Sequence, residues 1–183
     1  MKIPISAFIG WFSALESRKI GVLYLVNTAL FFLAGITAAL LIQLDMLSPA
    51  AHLMSPQKFG TLLSGHGMLM VFVVLLPLFP GVFGHLLFPA SVGPPNKAMR
   101  NSSLAGWLCH LVGGSLVTVA LLLGVYDNGW AMMVPVTGGT AAMIALVTGL
   151  GLSALAALLP CIVIVRTAFA KKYRTTPFRQ FPL

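Results

Sequence analysis

Four stretches of this chain, at about residues 21–44, 59–88, 103–125 and 140–168, are apolar for longer than the core helix of a water-soluble protein requires. About 20 consecutive apolar residues are enough to cross the hydrocarbon of a bilayer. Within hydrocarbon the backbone must satisfy its own polar groups, which leaves helices and closed barrels as the spanning structures. Barrel strands alternate and are much shorter than these runs, so the spans are expected to be helices. The second and fourth exceed one bilayer thickness and predict tilt or kinks, with Pro77, Pro80 and Pro160 as candidate kink sites. Composition agrees: only 8% of the 183 residues are charged, against roughly 25% in an ordinary soluble domain. The expected fold class is an all-α integral membrane protein with four transmembrane helices.

The formal net charge of +8 raises the question of nucleic acid, and the placement of the charges answers it. Lys2, Arg18 and Lys19 precede the first span, and Lys97 and Arg100 join the second to the third. Arg166, Lys171, Lys172, Arg174 and Arg179 sit at or beyond the end of the fourth. Lys58 alone lies on the other side, with Asp45 and Asp127. The positive-inside rule then makes both termini cytoplasmic. The charge encodes topology, with anionic lipid as a further attraction. No nucleic-acid partner is expected, and the expected location is the cell inner membrane.

The chain divides into an interfacial segment at 1–20, a four-helix domain at 21–168 and a basic tail at 169–183. In the first of these, Met1 to Leu15 carries one Lys and a modest apolar run broken by Pro4, Ser6 and Gly10, without a convincing signal-cleavage site. Ile3, Phe8, Ile9 and Trp11 suit an interface instead. Cys109 and Cys161 map to span halves near a reducing compartment and read as packing residues. Ala145, Gly149, Ser153 and Ala157 form a small-residue stripe on span four, which lets another helix approach closely, inside this chain or outside it. Tyr126 and Trp130 suit one membrane boundary and Trp107 the other, and the Gly- and Pro-rich loop at 126–139 reads as an ordered cap.

Ionisable groups inside a membrane are the first place to seek chemistry. His66 lies within span two in Ser64-Gly65-His66-Gly67-Met68. Gly65 and Gly67 remove bulk beside the imidazole, which would admit a flat porphyrin, and a neutral imidazole is a haem-iron ligand. A histidine hydrogen-bonded to a neighbouring helix explains the same residues. His110 lies at a different depth and His85 deeper still, so a second axial ligand is expected from another chain. His85 and His110 could form a polar cluster with Asn96 or Asn101, or bond at helix ends. His52 falls in a loop. No closely spaced metal-ligand set, nucleophile–base pair or phosphate loop is visible, and the three acids, Glu16, Asp45 and Asp127, sit near interfaces or in loops, which disfavours a proton-driven transporter.

From Arg18 to Leu183 the chain resembles the N-terminal third of subunit I of the haem–copper terminal oxidases, the cytochrome c and quinol oxidases. Arg18-Lys19-Ile20-Gly21-Val22-Leu23-Tyr24-Leu25 is similar to the lead into the family's first helix, and Ser64-Gly65-His66-Gly67 to its second-helix haem motif. Phe83-Gly84-His85-Leu86-Leu87-Phe88-Pro89 with Val92-Gly93 resembles the end of helix two. Gly129-Trp130 with Val134-Pro135 resembles the cap after helix three, and Phe178-Arg179-Gln180-Phe181-Pro182-Leu183 the lead into helix five.

The resemblance implies that His66 is an axial ligand of a low-spin haem. The partner histidine, the copper ligands, the ligand of the oxygen-binding haem and the cross-linked tyrosine would lie on later helices, so no copper is expected in this chain. Three positions depart from the family. Asn96 stands where an aspartate opens a proton channel, His85 where that channel has an asparagine, and Gln43 where an arginine contacts the haem. The implied function is a partial or split subunit I-like component of an oxidase. A companion chain would carry the remaining helices and the second haem ligand, with other oxidase subunits alongside. A structural or assembly subunit without a cofactor is the alternative, and an independent four-helix transporter the second.

Overall fold

The computed structural model describes residues 16–47, 53–89, 96–123 and 140–169. His52, the loop at 126–139, the segment before Glu16 and the tail after Phe169 lie outside the described residues. Four helices are long and apolar enough to cross a membrane: α1 (Ser17–Met46), α2 (Pro56–Leu86), α3 (Lys97–Leu122) and α4 (Thr140–Phe169). Each matches an expected span to within a few residues. The largest differences are at α1 and α3, whose polar first turns project beyond the apolar run.

Local chemistry sets the helix starts. Ser55 caps α2 by accepting the Lys58 N–H, with Pro56 in the first turn, where its missing N–H costs nothing. Asn96 caps α3 by accepting the Met99 N–H at 2.9 Å. Midway, α2 changes pitch. Leu69–Leu75 and Leu78–Phe83 wind as π-helix on either side of Pro77 and through Pro80. The Leu76 N–H reaches back to Val71 and the Gly84 N–H to Phe79, one residue further than an α-turn. Wide turns of this kind re-satisfy groups that a proline displaces. By contrast, Pro160 lies inside a helix that runs unbroken from Thr140 to Phe169.

Contacts fix how the helices alternate. Ser17, His85 and Thr167 line one small cavity, and the Thr167 hydroxyl, which donates to the Val163 carbonyl at 2.7 Å, touches Met99 Sδ at 3.3 Å. The start of α1, the end of α2, the start of α3 and the end of α4 therefore share one end of the bundle. Arg18, Lys19, Lys97, Arg100 and Arg166 gather there. At the opposite end Asp45 of α1 accepts the Met54 N–H at 2.9 Å, just before α2 begins.

The most extensive pairing is α3 with α4. A Cβ on Gly113 would lie 2.8 Å from the Gly149 carbonyl oxygen and 3.0 Å from the Ser153 nitrogen, so backbone meets backbone. The span-four stripe thus finds its partner inside this chain, in α3. One core cluster joins Phe31, Met68, Leu69, Val73, Val117, Leu121 and Leu146, and a second, nearer the basic end, joins Ile20, Tyr24 and Val82. Leu and Val side chains cover the outer faces of all four helices, as a lipid-facing surface requires. Cys109 is half-buried, Cys161 exposed, and both are free thiols.

Gly113→Ala should lower stability by about 1–3 kcal/mol, as overpacking does. Gly151→Ala, where no atom lies within 4 Å of the added Cβ, should not lower it. Thermal unfolding of the two variants in detergent is the measurement.

Candidate functional site

His66 sits on the face of α2 turned towards α1, and its Nδ1 donates to the Gly35 carbonyl at 2.9 Å. A carbonyl oxygen only accepts, so Nδ1 carries the proton and Nε2 of the neutral ring keeps its lone pair. This second hydrogen bond is the arrangement that orients a metal-binding imidazole. The approach depends on Gly35, where a Cβ would lie 2.5 Å from Met70 Sδ. His66 is half-buried, whereas His85 and His110 are 2% and 0% exposed. Of the three, His66 offers its unprotonated nitrogen where a ligand can reach.

The flanking glycines divide their work. Leu121 of α3 occupies the space a Cβ on Gly65 would need, so Gly65 serves the α2–α3 contact rather than leaving room beside the ring. Gly67 is half-buried. Among the described residues no group of three or more His, Cys, Asp or Glu side chains comes together as a metal site. A lone axial imidazole is not such a group.

Nearer the basic end, His85 and His110 are joined by a residue that sequence reasoning missed. Tyr24 stacks on both, with ring centroids 5.8 Å from His85 and 5.5 Å from His110, each at an interplanar angle of 19°. Phe31 then meets His110 edge-on at 5.5 Å. Neither asparagine joins this column: Asn96 caps α3 and Asn101 is exposed. Gln43 is exposed on α1, and Asp45, expected near an interface, is buried and tied to the Met54 backbone.

The column has a covalent origin. In an α-helix the N–H of residue 160 would bond the Ala156 carbonyl, and that of residue 77 the Val73 carbonyl. Both residues are proline and have no N–H to give. The Tyr24 hydroxyl donates to the Ala156 carbonyl at 2.9 Å, and His110 Nε2 donates to the Val73 carbonyl at 2.9 Å. Tyr24 reaches α4 by passing between Gly81 and Gly106, where added Cβ atoms would each lie 2.5 Å from it. His85 Nδ1 donates back along its own helix to the Gly81 carbonyl at 2.9 Å. The available signal was arithmetic: a proline inside a span marks the carbonyl four residues earlier as needing a donor. Asn27, Thr28 and Tyr24 share the polar stripe of α1 from which one comes.

Tyr24→Phe should destabilise the protein by about 1 kcal/mol, the usual size of an interhelical hydrogen bond in a membrane. The loss should shrink in a Pro160→Ala background, where residue 160 regains an N–H for Ala156. A double-mutant cycle of thermal stabilities measures the difference.

A family model described as cytochrome C and quinol oxidase polypeptide I matches residues 19–183. Among relatives, a probable cytochrome c oxidase subunit 1-alpha of Streptomyces avermitilis is 30% identical over 139 residues, covering 74% of this chain and 24% of the relative. A putative subunit 1-beta of Streptomyces coelicolor is 31% identical over 137 residues, covering 73% and 24%. A cytochrome c oxidase subunit 1 of Thermostichus vulcanus is 29% identical over 127 residues, covering 69% and 23%. The chain spans about a quarter of the length of the curated relatives it matches.

Proposed function

The chain belongs to the cytochrome C and quinol oxidase polypeptide I family, and on that premise we propose that it is a partial, subunit I-like component of a haem–copper terminal oxidase. It contributes four helices to the complex and His66 as an axial ligand of a low-spin haem. A companion chain supplies the later helices and the second axial ligand, and the complex sits in the cell inner membrane with the basic end of the bundle towards the cytoplasm.

The observation that carries this reading is the accessibility of the His66 ring, half-buried where His85 and His110 are buried, together with its Nδ1 hydrogen bond to Gly35. That bond fixes the tautomer whose Nε2 lone pair can enter an iron coordination sphere, and it holds the ring between two helices. Bound there, a haem would supply a one-electron carrier inside the membrane. His66 would hold the iron, with the Gly35 carbonyl orienting the imidazole. Gly65 keeps α2 seated against α3 so that the ring stays in place.

The proton side of the family's chemistry is not supported. Asn96 serves as the α3 N-cap, a role in which asparagine equals aspartate, but an amide cannot take up and release protons at neutral pH. The position keeps its structural duty without the titrating one. Tyr24 and His110 are committed to backbone carbonyls, which favours a second reading, a packing subunit without a cofactor.

The two readings separate on one experiment. In the assembled complex, His66→Ala should remove the low-spin haem contribution from the reduced-minus-oxidised spectrum. His110→Ala should keep that contribution while lowering thermal stability. A spectrum and turnover untouched by His66→Ala would establish the packing subunit instead.

A further inference from the structure

At the end of the bundle opposite the basic cluster, α1, α2 and α3 diverge around an open-sided cavity of about 550 Å³. That size lies within the roughly 300–1,000 Å³ typical of ligand sites. Its walls include Ala38, Leu62 and Leu121. The hydroxyls among its lining residues are turned away from any occupant. Thr37 donates to the Leu33 carbonyl at 2.9 Å, Thr61 to the Gln57 carbonyl at 3.1 Å and Thr118 to the Gly114 carbonyl at 2.8 Å. Each commits its proton to its own helix, so the threonines offer the cavity methyl groups and no free hydroxyl proton.

Lys58 stands at the rim, exposed in the first turn of α2, and among the described residues it is the one Lys or Arg at this end. An ammonium beside an apolar cleft in a spanning helix, at headgroup depth, matches one class of bilayer molecule: an anionic head on a hydrocarbon tail. A soluble anion would find no polar wall here. A ligand recognised through its carbonyls would find no hydroxyl donor.

We propose that this cavity is a binding site for an anionic phospholipid, one acyl chain lying between α1, α2 and α3 and the phosphate held by Lys58. The site stands apart from the haem reading: it uses neither His66 nor any residue of the Tyr24 column.

The test uses the complex reconstituted in nanodiscs of equal phosphatidylglycerol and phosphatidylcholine with matched acyl chains, then released for native mass spectrometry. The wild-type complex should retain phosphatidylglycerol in preference to phosphatidylcholine. Lys58→Gln should lower the retained phosphatidylglycerol about fivefold, the contribution of one lysine near an anionic surface, and leave phosphatidylcholine unchanged. Thr37→Phe, which fills the cavity from an exposed position on α1, should remove the retained lipid while the haem spectrum stays intact. The proposal is overturned if Lys58→Gln keeps full selectivity, if Thr37→Phe keeps the lipid, or if the wild-type cavity carries a phosphate-free prenyl lipid instead.

Discussion

A backbone carbonyl buried in hydrocarbon has no water to turn to, and leaving it without a donor costs several kcal/mol. Pro77, Pro80 and Pro160 each delete the N–H that would have served the carbonyl one turn before it, and two of those carbonyls, Val73 and Ala156, take a donor from another helix. The solutions come from elsewhere in the chain. Tyr24 crosses from α1 to serve Ala156 on α4, and His110 reaches from α3 to serve Val73 on α2. Two local defects become two interhelical ties, and these ties set which faces of the four helices meet. The aromatic column, the glycines at 81 and 106 that let Tyr24 pass, and the second core cluster at Ile20 and Val82 are arranged around them.

The three described histidines share one hydrogen-bonding habit. Each gives one ring nitrogen to a backbone carbonyl: His66 to Gly35, His85 to Gly81 and His110 to Val73. Each therefore keeps one lone pair, on Nε2 in the first two and on Nδ1 in the third. Hydrogen bonding alone does not separate a ligand from a packing residue here. Access does. The remaining nitrogens of His85 and His110 are buried without a hydrogen-bond partner inside the stack, whereas His66 is half-buried.

Much of the fold was legible because its causes are local and additive. Span length and the charge partition depend on neighbours in sequence. The structure places Arg18, Lys97 and Arg166 at one end, as the positions of the basic residues require. Residues whose roles depend on long-range partners were harder to read. Tyr24 was visible only as part of a family-like motif, since its acceptor lies 132 residues away. Gly65 looked like room for a ligand because a glycine in sequence does not say which side chain fills its space, and here Leu121 does. The burial of Asp45 was hidden for the same reason. Its partner is a backbone N–H in the turn before α2, and no pattern in α1 announces it.

The bundle is consequently unequal along its length. Towards the basic end Tyr24, His85 and His110 are stacked and each donates a hydrogen bond, and the cavity beside His85 measures only about 10 Å³. At the other end the helices stand apart, a cavity of about 550 Å³ opens between three of them, and a single lysine marks its rim. Substitutions relative to the family pattern follow the division. At the packed end, Asn96 caps α3 and His85 adds a ring to a stack. An amphiphilic or planar ligand needs space, a coordinating or charged group, and walls that do not compete for it. Among the described residues the cavity with Lys58 at its rim offers that space, while the stacked rings at the basic end leave only a small one.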